Sequence, residues 1–142
     1  MTSDNLVIRT YEPRDESSVT ALWRDVFRDD PPWNDPKFVI RRKLAIQPEL
    51  FLVGELEGTV VAAVVIGFDG FRGWIYHLAV VPEHRRKGFG RVLMSEAEIR
   101  LRRLGCPKVN LQVRVTNTGV IEFYRHLGYQ VEDRVSFGKR LE

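Results

Sequence analysis

Cysteine is nearly absent: the chain of 142 residues has one, Cys106. A single thiol excludes an internal disulfide framework and a cysteine-built metal site, and it suits a reducing compartment. Long apolar runs are missing too. The longest, over residues 60–67, falls far short of the roughly 20 residues a membrane-crossing helix needs. Met1-Thr2-Ser3-Asp4-Asn5 lacks the basic-then-apolar order of a secretory leader. Net charge is only +3 and the positive charge is local, which favours a small anionic ligand over a nucleic-acid coat. No repeat, low-complexity tract or long polar linker interrupts the sequence. The expectation is one domain over residues 1–142, cytoplasmic, with no membrane, nucleic acid or metal as partner. Its 44% apolar and 29% charged residues are ordinary for a globular chain with a real core.

What is present centres on Leu78-Ala79-Val80-Val81-Pro82-Glu83-His84-Arg85-Arg86-Lys87-Gly88-Phe89-Gly90-Arg91. An apolar strand runs into a proline-led turn, three cations follow, and Gly-x-Gly opens a helical pattern. A helix start carries backbone N–H groups without intrahelical partners, and the helix dipole adds partial positive charge there. Glycine lets a ligand approach the backbone closely. With Arg85, Arg86, Lys87 and Arg91 alongside, the stretch is suited to a phosphate or pyrophosphate.

Around it, residues 6–11 read as a first strand. Pro13 and Asp15 open a helix with Val19, Leu22, Trp23, Val26 and Phe27 on one face. Residues 29–36 form a proline-broken loop. A second helix starts with Asp35 as N-cap and Pro36 in its first position, and stops before Pro48. Residues 51–56 and 60–66 are strands joined by a tight turn at Glu57-Gly58-Thr59, the second apolar on both faces and so expected to be central. Glycine-rich residues 67–73 form another hairpin, and 74–81 the strand that feeds the basic turn. A helix spans 89–104, ended by Gly105 and Pro107. Residues 108–115 alternate as a strand with one covered face. A short helix follows Asn117 and ends at Gly128, and two strands, 129–131 and 134–141, close the chain. The order βααβββαβαββ implies an α+β or mixed α/β sheet with helices on both faces.

Arg85-Arg86-Lys87-Gly88-Phe89-Gly90 resembles the Arg/Gln-x-x-Gly-x-Gly/Ala phosphate motif of the GNAT acetyltransferase superfamily. Asn117 through Phe123-Tyr124-x-x-x-Gly128-Tyr129 is similar to its second signature, at the family's distance from the first. Trp33-Asn34-Asp35-Pro36, Leu50-Phe51-Leu52-Val53, Asp69-Gly70-x-Arg72-Gly73, Arg103-Leu104-Gly105-Cys106-Pro107-Lys108 and Gly138-Lys139-Arg140-Leu141 extend the likeness over nearly the whole chain, towards small stand-alone bacterial acetyltransferases of the YpeA type. The resemblance implies the GNAT fold: a mixed, mostly antiparallel sheet of six or seven strands, about four helices on both faces, and splayed central strands. It also implies transfer of an acetyl group from acetyl-CoA to an amine, on a small molecule or a protein or peptide, by direct attack in a ternary complex. Leu78, Ala79 and Val80 would line the pantetheine arm. Arg85, Arg86, Lys87, Gly88, Phe89, Gly90 and Arg91 would hold the pyrophosphate. Asn117 and Tyr124 would touch the cofactor, with Tyr124 placed to protonate the leaving thiolate.

Positioning the two reactants can supply roughly 7–11 kcal/mol, more than the 10²–10⁴-fold typical of one acid or base. Direct attack needs no enzyme nucleophile, and none is recognisable around Cys106. Trp74 and Gln112 stand where relatives often carry a glutamate base, and neither accepts a proton. His77 has a suitable unperturbed pKa, though a histidine among apolar neighbours also reads as packed core. Glu55, Asp69 and water are other bases. Trp33, Asp69 and Tyr76 are acceptor-side candidates. Trp33 reads equally as a buried loop anchor, and Asp69 as the residue that shapes its glycine loop. Two rivals stand beside the enzyme. One is a non-catalytic acyl-CoA-binding or sensing module with the same clamp. The other is a nucleotide or nucleic-acid binder, which lacks the P-loop spacing. A homodimer is left open.

Overall fold

A computed structural model describes residues 5–142; the leader reading of the first four residues lies outside them. The chain falls into two compact units, Met1–Leu111 and Gln112–Glu142.

The first unit is a five-stranded sheet in sequence order: β1 (Leu6–Thr10), β2 (Phe51–Leu56), β3 (Thr59–Phe68), β4 (Gly73–Val80) and β5 (Val109–Leu111). β1 to β4 pair antiparallel, and β5 joins β4 in parallel. Leu56 pairs with Thr59, leaving a two-residue loop. Both loop residues have positive φ, +50° at Glu57 and +84° at Gly58. That is the conformation whose twist matches a tight hairpin. The second hairpin is held by Asp69, whose Oδ1 accepts from the N–H groups of Phe71 and Arg72 at 2.8 Å.

Three helices pack on this sheet: α1 (Glu16–Val26), α2 (Pro36–Ala45) and α3 (Phe89–Arg103). α1 buries Val19, Leu22 and Trp23 against Phe51, Val53, Ala63 and Val65. Tyr11, Phe51 and Trp23 form a stack, with ring centroids 4.3 and 5.7 Å apart. Strand alternation turns Gly54 and Ala62 to the opposite face, where α3 brings Phe89, Leu93, Ala97 and Leu101, all buried. A Cβ on Gly54 would stand 3.2 Å from Leu93 Cδ1, and one on Gly73 only 2.7 Å from Leu101 Cδ1, so α3 lies tight on the sheet.

β1 is tied to the start of α1 by Arg9. Its guanidinium donates to both oxygens of the buried Asp15, at 2.8 and 2.9 Å, and to Glu55. Asp15 also accepts from the Glu12 N–H, closing the turn before α1. At the far end of β3, beyond its pairing with β2, side chains replace a strand. Lys43 donates to the Ile66 carbonyl, and the Gln47 amide bonds both backbone groups of Phe68. Asp35 and Pro36 sit where expected, but Asp35 makes no side-chain cap bond, and its Oδ1 lies 3.5 Å from Arg24 instead.

The second unit holds α4 (Thr118–His126), with Asn117 as N-cap accepting from Val120 N–H at 3.4 Å, and Gly128 ending it at φ +94°. No strand forms here. Residues 112–115 do not continue β5, and 129–131 and 134–141 carry no ladder, with Val135, Phe137 and Leu141 exposed. The expected six or seven strands are therefore five among the described residues. Alternation marks residues that can pair, but a strand exists only once another backbone takes up its N–H and C=O groups.

Candidate active site

The basic turn is built by local backbone geometry. Val81 N–H donates to Val61 O, the last rung of β4 against β3. A single 3₁₀ turn, Pro82–His84, reverses the chain, and Gly88 at φ +80° delivers it into α3. Arg86 also takes a positive φ, +67°, which for a residue with a Cβ costs roughly 1–2 kcal/mol. Phe89, 2% exposed, pins the first residue of α3 in the core. No side chain caps α3, so its leading N–H groups point outward unpaired, whereas α4 has the Asn117 cap. Arg85, Arg86 and Arg91 are exposed, and no carboxylate among the described residues pairs with them. Lys87 Nζ donates to His84 Nδ1 at 2.8 Å.

β4 is irregular just before this turn. Tyr76 pairs with Val65 and Ala79 with Ala63, so His77 and Leu78 together face Val64 alone. This is a β-bulge, with His77 at φ +54°. On its other edge β4 keeps only three rungs with β5, from Gly73 to Ile75. Tyr76 to Val80 have no strand on that edge among the described residues. Because Val81 bonds β3, alternation turns the N–H and C=O of Val80, and of Leu78 two residues before, to this open edge.

Behind the bulge, α1 and the proline-rich loop line a half-open pocket of about 160 Å³. Trp23 and Phe27 wall it, and their rings lie 5.0 and 5.3 Å from His77. Trp23 Nε1 donates to the His77 carbonyl at 3.0 Å, holding the bulge from the helix side. His77 Nε2 is buried without a hydrogen-bond partner, 3.7 Å from Asp30 Oδ2. Burial pushes the imidazole below its ordinary pKa, and the Asp30 charge opposes that.

The other expected residues are placed as follows. Trp33 is 43% exposed and is not among the residues lining the cavity, although Pro32 and Asn34 are. Asp69 spends its carboxylate on its own loop, and the Arg72 and Phe71 amides hold its pKa below the usual range. Tyr76 is half-exposed, its phenol raised by burial and by Asp69. In the second unit Gln112 donates to Ser136 Oγ at 2.8 Å. Tyr124 is buried, edge-on to Phe123 and Tyr129, and burial lifts its phenol to about 12. The first unit thus gathers Leu78, Ala79, Val80 and His77 on one strand beside the turn from Arg85 to Arg91. Sequence reading missed Asp30 and the cavity role of Trp23. Asp30 sits in a proline-rich loop far from His77 in the chain, and Trp23 fits an ordinary core stripe.

A family model described as Acetyltransferase (GNAT) family matches residues 18–129. An acetyltransferase of Yersinia pestis (strain Pestoides F) is 46% identical over 136 residues, covering 94% of both chains. Among solved structures, Ard1 from Thermoplasma volcanium has a TM-score of 0.78 at 26% identity, over 90% of this chain and 84% of that one. The PaiA N-acetyltransferase of Thermoplasma acidophilum, solved in complex with coenzyme A, has 0.72 at 21% identity, over 92% of each chain. A family match over most of the sequence, and near-half identity along almost its full length, lead to one conclusion: the chain belongs to the acetyltransferase (GNAT) family.

Proposed function

We propose that this acyltransferase moves an acetyl group from acetyl-CoA to an amine by direct attack. The observation that carries the reading is the turn into α3: an uncapped helix start behind Gly88, with Arg85, Arg86 and Arg91 free of carboxylates. That donor set suits a diphosphate. The open edge of β4 supplies a second fit, because backbone groups at Leu78 and Val80 can pair with an amide-bearing arm as a strand would. Leu78, Ala79 and Val80 would hold the arm, and Arg85, Arg86, Lys87, Gly88, Phe89, Gly90 and Arg91 the diphosphate. Bound there, acetyl-CoA supplies an activated acyl group. The protein's share is then to orient, exclude water and move protons.

Tyr124 is the proposed donor to the departing sulfur, and Asn117 a proposed neighbour of the cofactor. A phenol at about 12 keeps its proton throughout the working range. An alkyl thiol has a pKa near 8.5, so full proton transfer from such a phenol is uphill by roughly 5 kcal/mol. Tyr124 therefore acts best as a hydrogen-bond donor, with the proton reaching sulfur by another route. His77 is the proposed base, since burial favours its neutral form and its buried Nε2 has no hydrogen-bond partner. Trp33, Asp69 and Tyr76 remain proposed as acceptor-side residues, Asp69 through the shape of its loop. The acceptor is proposed as a small molecule or a protein or peptide amino group.

The test is calorimetry with acetyl-CoA on the wild type and on Arg85→Ala/Gly88→Asp. Losing one charged contact and placing a carboxylate at the helix start should weaken binding at least about 100-fold. Circular dichroism should show the fold intact. Retained affinity would remove the turn from cofactor binding. Thiol release with a panel of amines then separates transfer from binding alone.

A further inference from the structure

We propose that Trp23 is a positioning residue for the coenzyme: its indole N–H, by holding the His77 carbonyl, aims the Leu78 N–H at the open edge of β4, where the coenzyme's arm is to be met. The inference rests on the acetyl-CoA reading of that edge and adds to it the side chain that sets the direction of the edge's donor.

The bulge makes such a hold necessary. His77 is its left-handed residue, at φ +54°. A left-handed bulge position is usually glycine, because a Cβ is disfavoured there. The ladder is also broken at this point, since His77 and Leu78 together face Val64 alone. The indole of Trp23 takes up the His77 carbonyl at 3.0 Å. Among Val19, Leu22, Trp23, Val26 and Phe27, the apolar stripe of α1, only Trp23 has a side-chain N–H to give.

One planar trans peptide joins His77 to Leu78, and its C=O and N–H point in opposite directions. Fixing the first therefore fixes the second. With the His77 carbonyl drawn to α1, the Leu78 N–H is turned away from that helix, to the edge that β5 leaves unpaired beyond Ile75. A rotation of this peptide would swing the N–H out of line, and a hydrogen bond weakens steeply once misaligned. The indole is placed to resist that rotation. It is 1% exposed, stacked on Phe51 at 5.7 Å, and 5.0 Å from the His77 ring.

Packing alone does not call for an indole here, because a phenylalanine could also stack on Phe51. What the indole adds is the bond to the bulge. That bond acts on the arm and not on the diphosphate. Beyond the bulge, Val81 N–H is bound to Val61 O, so β4 is tied to β3 again before the basic turn begins. Loss of the indole N–H should therefore weaken a ligand that has an arm and spare one that has only the diphosphate.

The test replaces the indole of Trp23 by benzothiophene, introduced at that position alone, which exchanges N–H for sulfur and keeps the two-ring shape. Trp23→Phe is a second variant without the N–H, and a fluoroindole that retains it is the control. In isotope-labelled protein without ligand, the His77 carbonyl and Leu78 amide signals should move in the benzothiophene variant, while those of Val53 and Ala63 in the same core stay. By calorimetry, acetyl-CoA should bind roughly tenfold more weakly to both N–H-deficient variants. Adenosine diphosphate, which has the diphosphate and no arm, should bind them as it binds the wild type. The fluoroindole protein should match the wild type with both ligands, a rescue that a purely structural role of the ring would not separate from the benzothiophene result. Unmoved His77 and Leu78 signals, unchanged acetyl-CoA affinity, or an equal loss for both ligands overturns the proposal. The expected split without acetylation of any amine would instead defeat the transfer reading and leave the role of Trp23 standing.

Discussion

Two side chains concentrate the consequences at the scale of single residues. Asp15 is 3% exposed and carries both arms of Arg9, so its carboxyl is held below the usual range, chiefly by the Arg9 hydrogen bonds. Asp15→Asn should cost about 3 kcal/mol at pH 7, as removing one partner of a buried pair does, read as a shift in the urea midpoint. The sign follows from the depressed pKa. The stabilisation is full above the unfolded carboxyl's value near 3.9 and is lost as pH falls through the depressed folded value, so wild type and variant should converge in acid below that value. Tyr124 gives a second expectation. If the phenol works as a hydrogen-bond donor, Tyr124→Phe should lower kcat roughly ten- to hundredfold with acetyl-CoA affinity unchanged. Burial at about 12 also means that no alkaline limb from this phenol should appear below about pH 11. An unaltered rate across pH would remove Tyr124 from the reaction.

At the scale of elements, the tightest joint is α3 against the sheet. Gly73→Ala would set a methyl 2.7 Å from Leu101 Cδ1 and 3.0 Å from Cys106 Sγ. Overpacking of this kind should cost about 1–3 kcal/mol and lower Tm by several degrees, measured by calorimetric melting. α4 offers a cleaner contrast. Asn117 accepts from Val120 N–H, so Asn117→Ala should lose about 1 kcal/mol of stability and Asn117→Asp should recover it. If acetyl-CoA affinity then falls with alanine and not with aspartate, the cap alone accounts for the residue. These elements also show what sequence can carry. α3 was legible because its cues are local: apolar spacing, Gly105 after its end, Pro107 beyond. The Glu57 and Gly58 turn was legible for the same reason. β5 was overdrawn to residue 115, since its alternation says nothing about whether a partner backbone is at hand. The Asp30–His77 pair was illegible, because only the packing of α1 on β4 brings the two together.

At the scale of the whole molecule, protection should be uneven. β2 and β3 are paired on both sides and buried over residues 51–54 and 61–66, whereas residues 129–142 have neither helix nor strand. Hydrogen exchange should find the slowest amides in Phe51–Leu56 and Thr59–Phe68 and the fastest near the C-terminus; comparable rates would contradict this division. One further property follows from the three-rung ladder between β4 and β5. A sheet that stops mating halfway along a strand offers the unused half as a template to any passing backbone, and natural sheets usually blunt such margins. Here the margin from Tyr76 to Val80 pairs with no strand among the described residues. On the proposed mode of binding the coenzyme's arm stands in for the missing strand, so preparations stripped of it should clump on storage, and light scattering should fall when it is restored.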